Sequence, residues 1–174
     1  SQLYFWRLAG SSWWWRAAFF FKLTTGQLSM NSKIPSNFIN IPRQSPFSLH
    51  IGKLYIPEDQ TPESPIVKLG LLLDDSHTGG PTRGHGGVTM ALLDEAMGRA
   101  ASEASNALCV TISMTTNFIS GSKIGDFIIA SAKVTRRGKS IVFVDGELRD
   151  PQDRLIATAT GTWSNTNIPI PGRK

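Results

Sequence analysis

Arg83-Gly84-His85-Gly86-Gly87 runs directly into a stretch rich in alanine and leucine. Glycines ahead of a helix let another group approach the backbone closely. The first N–H groups of a helix lack internal partners, and the helix dipole favours negative charge beside them. Such a terminus suits a phosphate, or a carbonyl oxygen becoming an oxyanion. No Gly-Lys-Ser/Thr follows, so the loop is not a P-loop, and it does not match the dinucleotide fingerprint. The same glycines also fit a plain tight turn, and on spacing alone both readings stand.

Asp94 lies in Ala91-Leu-Leu-Asp-Glu-Ala-Met97 with apolar neighbours. An acid on the apolar stretch of a helix is costly unless paired, and a carboxylate so placed suits a base or a nucleophile. The alternative puts Asp94 and Glu95 on a solvated face. That explains one acid better than both, because neighbours on a helix point about 100° apart. Gly86 and Asp94 are eight residues apart, about 12 Å along a helix axis at 1.5 Å per residue. One carbonyl cannot touch both in the same chain. If both act on it, they come from two subunits with antiparallel helices, and a two-fold dimer carries two sites at its interface.

Other candidates carry less. His50 reads as a structural or surface residue, and His77 could line a cleft ahead of the glycine loop. Arg136, Arg137 and Lys139 cluster at a hairpin tip, which is either solvated or a holder for the phosphates of a nucleotide handle. No HExxH, paired-histidine spacing or Gly-x-Ser-x-Gly elbow occurs, so neither a metal site nor a serine hydrolase is indicated. Cys109 is the one cysteine, which rules out an intramolecular disulfide and fits a reducing, cytoplasmic setting.

The elements that must position these residues follow from periodicity. A helix is predicted from about Gly86 to about Ala104, broken by Asn106. The alternation of Phe47–Ile56 predicts a strand, Ile66–Leu73 a second, and Asp74–Gly87 a long glycine-rich loop. Four strands follow, at Ala107–Phe118, Asp126–Arg137, Ser140–Arg149 and Arg154–Trp163. Their short connections predict antiparallel neighbours. Strands and helix are segregated, so the class is α+β, an antiparallel sheet of about six strands curled around one central helix.

The 174 residues predict a single domain over 46–165, an N-terminal extension over 1–45 and a tail over 166–174. Apolar residues at 40% and charged at 18% are enough for a core without staples. The net charge of +5 belongs to the extension, because no Asp or Glu precedes Glu58 and the rest is near neutral. The core lacks a dense basic cluster interleaved with aromatics, which argues against nucleic acid. Trp13-Trp14-Trp15 and Phe19-Phe20-Phe21 are split by Arg16. The run is too short for a membrane span of ~20 residues and too charged for a signal peptide. It reads as a basic targeting segment, an interfacial anchor, or non-native sequence upstream of a start at Met30.

The segment His85-Gly-Gly-Val-x-x-x-Leu-Leu-Asp94-Glu-Ala-Met-Gly resembles the hotdog acyl-CoA thioesterases, in the branch of the phenylacetate-pathway enzymes. The likeness continues through Val110–Phe118, Gly125-Asp126, Arg137-Gly138-Lys139 and Ala157–Gly161, and covers about Phe47 to Trp163. It implies a hotdog fold and hydrolysis of an acyl-CoA or aryl-acyl-CoA, with no metal or organic cofactor and coenzyme A only as part of the substrate. It implies a homodimer or a dimer of dimers. By the same likeness Asp94 is the nucleophile or general base, the Gly86 N–H polarises the thioester carbonyl, His85 shapes the loop, and Thr111 assists water or acid placement. Gly87, Asn117, Arg137, Gly138 and Lys139 match substrate-binding regions. One departure is Gly79, where many relatives carry an Asn or similar polar residue six positions before the motif histidine. A non-catalytic acyl-CoA sensor and a hotdog hydratase or dehydratase are the competing readings, and a sensor needs no buried carboxylate at the carbonyl.

Overall fold

The computed structural model describes residues 33–42 and 44–171. The expectations about the aromatic start and Met30 fall outside them. In chain order the elements are β1 (Phe38–Asn40), α1 (Pro46–His50), β2 (Leu54–Pro57) and β3 (Val67–Leu72). After them come a 3-10 turn (Asp75–His77), β4 (Thr78–Gly80), β5 (Arg83–Gly84) and α2 (Gly86–Ser105). The chain closes with β6 (Cys109–Phe118), β7 (Phe127–Arg137), β8 (Ile141–Arg149) and β9 (Leu155–Asn165).

A seven-stranded antiparallel sheet, in the order β1-β2-β3-β7-β8-β9-β6, wraps α2. The helix packs on β3, β6, β7, β8 and β9. Its Leu92, Leu93, Ala96, Met97 and Ala101 are completely buried. They spread well beyond a single stripe, as a helix enclosed by a sheet requires. The sheet side of the core is leucine on β3 and small residues on β7 and β9, with Trp163 filling one end. α2 ends at Asn106, left-handed at φ 51°, whose N–H returns to the Glu103 and Ser102 carbonyls. The architecture is the hotdog fold.

Three expectations are corrected. The predicted strand Phe47–Ile56 is half helix. Ser45 caps α1 by accepting the Ser48 N–H, Pro46 is pre-set for the first helical position, and Gly52 at φ +116° breaks the extended run, so only Leu54–Pro57 pairs. The sheet begins at β1, upstream of the boundary at 46, and its pairing with β2 supplies the seventh strand. β6 and β7 are not neighbours although a short loop joins them. That loop crosses the ends of β9 and β8, tied by Ser120 Oγ donating to the Leu155 carbonyl and Arg154 Nη2 to that of Gly121. Among the described residues no helix is long and apolar enough to cross a membrane.

Candidate active site

The glycine loop is a small built structure. His77 is buried, accepts the Asp74 N–H at Nδ1 (2.9 Å) and donates from Nε2 to the Ile51 carbonyl (2.7 Å). Its own carbonyl takes the His85 N–H at 2.8 Å. His77 is therefore a structural anchor that fixes where His85 begins the helix. β4 and β5 form a ribbon over this turn. A Cβ at Gly79 would fall 2.6 Å from His85 Cα and 2.8 Å from its Cβ, so the departure at this position is sterically tied to the histidine.

His85 is the N-cap of α2, with φ −68° and ψ 139°. Its Nδ1 accepts the Gly87 N–H at 2.8 Å, which leaves Nε2 as the protonated, outward nitrogen. The Gly86 N–H, at the first helical position, has no intrahelical acceptor and none among the described residues. The ring of Phe118 stands beside it, 3.3 Å from where a Gly86 Cβ would lie.

Asp94 is half-buried, and its Oδ1 accepts the Thr111 hydroxyl at 2.8 Å. Both residues line a cavity of about 480 Å³ between α1, α2 and the start of β6. Thr111 reaches the helix because of a bulge. Phe118, Thr116 and Met114 pair with Ala157, Ala159 and Gly161 on the helix side of the sheet. Strict alternation would send Thr111 to the opposite face. The register shift between Thr111 and Ser113 inserts Ile112 and reverses the parity, so Thr111 pairs with Trp163 and faces inward. Cys109 follows the same parity, with Sγ 3.6 Å from Ser105 Oγ.

The remaining predicted residues are apart from this pair. Arg137, Gly138 and Lys139 form the β7–β8 hairpin at the sheet end where β6 begins, since Ile141 and Val110 both pair with Ser164. Asn117 sits at the other end of β6, paired with Thr158 on the face away from the helix. His50 is exposed on α1. Sequence reasoning missed Ser48 and treated Glu95 only as a neighbour of Asp94. The Ser48 hydroxyl donates to Glu95 Oε1 at 2.7 Å inside the same cavity. The difficulty of solvating both acids at once was the available signal. Among the described residues no three His, Cys, Asp or Glu side chains gather as a metal site would need.

β6 is a sheet edge whose exposed positions mix Thr111, Ser113, Thr115 and Asn117 with large apolar side chains. Val110, Ile112 and Phe118 are each 55% exposed and Ile119 follows at 56%. Long edges with exposed apolar side chains pair with other chains unless something blunts them.

Comparison with known proteins places this architecture. The model of the thioesterase superfamily matches residues 84–157, from the end of the glycine loop through α2, β6, β7 and β8 to the start of β9. A Pseudomonas aeruginosa protein provisionally called an esterase is 24% identical over 132 residues, 75% of this chain and 96% of the relative. The E. coli PaaI protein, from the phenylacetic acid degradation operon, superposes with a TM-score of 0.59 at 17% identity, over 90% of this chain and 95% of its own. A Streptococcus pneumoniae protein described as a hypothetical thioesterase, solved with coenzyme A, gives 0.59 at 18%, over 64% and 89%. The chain thus carries a segment that matches the thioesterase superfamily model, on a fold shared with solved hotdog proteins.

Proposed function

We propose that this protein hydrolyses acyl-CoA thioesters at two sites in a homodimer. The observation that carries the reading is the Asp94 carboxylate, gripped by Thr111 and open to a cavity, on the same helix whose first N–H is free. The match to the thioesterase superfamily model and the coenzyme A held by the S. pneumoniae relative support the substrate class.

β6 runs antiparallel to α2, with Phe118 at Gly86 and Thr111 at Asp94. Pairing two β6 edges about a two-fold axis brings the Phe118 end of each against the Thr111 end of the other. The Gly86 N–H then approaches Asp94 of the partner subunit, twice, and the apolar side chains of the edge are covered. The same pairing brings the Asn117 end of one strand toward the end of the sheet carrying Arg137, Gly138 and Lys139 of the partner subunit, where a nucleotide handle could run.

The thioester oxygen accepts the Gly86 N–H at the positive end of the helix dipole, which stabilises charge that develops on it. Asp94 takes a proton from water as the water oxygen bonds to the carbonyl carbon. Collapse of the adduct breaks the C–S bond, the sulfur leaves with a proton, and free acid remains. Direct attack by Asp94, giving an anhydride that water then opens, uses the same placement. Thr111 orients the carboxylate, and His85 offers Nε2–H beside the carbonyl. Base, donor and water suffice for this reaction, so we assign it no metal or organic cofactor.

The test is thiol release from short-chain, long-chain and aryl-CoA thioesters by wild type and Asp94→Asn. The expected outcome is turnover of some members with at least a ~100-fold fall in the variant, the scale of an essential acid–base group. Binding without turnover across the panel would instead make the protein a sensor. Undiminished turnover in the variant would keep the reaction and remove Asp94 from it.

A further inference from the structure

The cavity beside Asp94 has a polar far wall, and its construction is unusual. α1 turns Ser48 inward and its apolar Phe47 and Leu49 out. Ser48 is 2% exposed, while Phe47 and Leu49 are each 60% exposed. A buried hydroxyl is costly unless it is hydrogen-bonded. Ser48 Oγ lies 2.6 Å from Ser45 Oγ and donates to Glu95 Oε1 at 2.7 Å. The wall is thus a carboxylate held by a serine relay.

That relay engages one oxygen of Glu95. The other has no hydrogen-bond partner among the described residues and belongs to a side chain that lines the cavity. The cation in the same wall, Arg99, donates from Nε to Glu103 at 2.9 Å. Beyond Asp94 the wall therefore presents the open acceptor oxygen of Glu95, beside the Arg99 guanidinium and the indole N–H of Trp163, unpartnered among the described residues.

Resting on the thioesterase reading, we infer that Glu95, positioned by Ser48, is a specificity-determining residue that selects acyl groups carrying a hydrogen-bond donor, a hydroxyl or a protonated amine. A carboxylate only accepts, so a donor on the acyl group satisfies its open oxygen. A plain alkyl chain displaces water from that oxygen and returns nothing. An acyl group ending in its own carboxylate meets Asp94 and Glu95 as like charges.

The experiment uses the full chain and acyl-CoAs matched in length. One set is propionyl-, 3-hydroxypropionyl-, 3-aminopropionyl- and malonyl-CoA, and a six-carbon set has the same four ends. Wild type is expected to favour the hydroxyl or amino member over the alkyl member in kcat/KM by at least about tenfold, the scale of a hydrogen bond to a charged group. The carboxylate member should come last. In Glu95→Gln that ratio is expected to fall by about the same factor, and Ser48→Ala should lower it in the same direction. Preference for both donors identifies hydrogen bonding as the selector, and preference for the amine alone identifies charge. Alkyl members processed as well as donor members at both lengths would overturn this inference while leaving the thioesterase reading intact. A ratio unmoved by Glu95→Gln would do the same. No turnover of any member would overturn the thioesterase reading and this inference with it.

Discussion

Asp94 and Thr111 are held together by a backbone irregularity more than by their own chemistry. The hydroxyl reaches the carboxylate only because Ile112 is an extra residue in β6. Thr111→Val keeps the shape and removes the donor. A hydrogen bond to a charged group contributes about 1.5–3 kcal/mol, so kcat/KM is expected to fall roughly ten- to a hundredfold. The thermal midpoint should stay near that of wild type, because the pair is only partly buried. Full activity in Thr111→Val would mean that the hydroxyl does not orient the acid. At this scale the sequence singled out Asp94, since a carboxylate between leucines and alanines asks for a reason, and the structure sets it half-buried against Thr111. The facing of Thr111 was not. Val110–Phe118 alternates without a visible break, and nothing in its residue types marks a bulge. Only the family likeness pointed to Thr111.

At the scale of elements, what was legible is what local chemistry decides alone. Glycines before an alanine-rich stretch start α2 and Asn106 stops it, within a residue or two of the structure. The Phe47–Ile56 alternation failed because five residues of alternating polarity fit a short helix as well as a strand. The deciding features were a serine cap, a proline and a glycine at positive φ. The Asp150–Arg154 turn, which the sequence offered only as a proline-assisted connection, proves to be a built ion pair. Asp150 is buried. Its Oδ1 accepts the backbone N–H groups of Gln152 and Arg154, and its Oδ2 accepts Arg154 Nε at 2.8 Å. Burial pushes its carboxyl up, but the bonds from Arg154 and Gln152 outweigh it and hold the pKa below the ordinary 3.8. The folded state therefore binds this proton less readily than the unfolded chain. Its stabilisation is complete above the unfolded value and is lost as pH falls through the depressed native value. Asp150→Ala is expected to lower unfolding free energy by about 2 kcal/mol at neutral pH. The gap to wild type should close as pH drops below 3.8. Urea unfolding at pH 7 and pH 3 measures this, and a gap of equal size at both would assign the loss to packing instead.

At the scale of the molecule, the sequence gives only the arithmetic that Gly86 and Asp94 are too far apart for one carbonyl. The sheet order adds the ground for the proposed dimer, since one of the two sheet edges, β6, is the strand that runs between those two residues. Ile112→Lys places a charge on that bare edge, and charge on an edge opposes pairing. The variant is expected to run as a monomer in analytical ultracentrifugation, keep its circular dichroism and lose thioester turnover. A sharper test separates shared sites from sites contained in one chain. Proline is tolerated at the first helical position and has no N–H. The extended backbone of His85 suits a following proline. Gly86→Pro should therefore remove the carbonyl donor while the helix persists. Asp94→Asn and Gly86→Pro are each expected to be inactive as pure proteins. In a mixed dimer, Gly86 of the first variant meets Asp94 of the second, and that site is whole while the other carries both defects. Random exchange of equal amounts makes half the dimers mixed, with one working site in two, so about a quarter of wild-type activity should return. Sites built within a single chain would return none, however long the two variants were mixed, because no exchange of subunits repairs a defect that each chain carries in its own site.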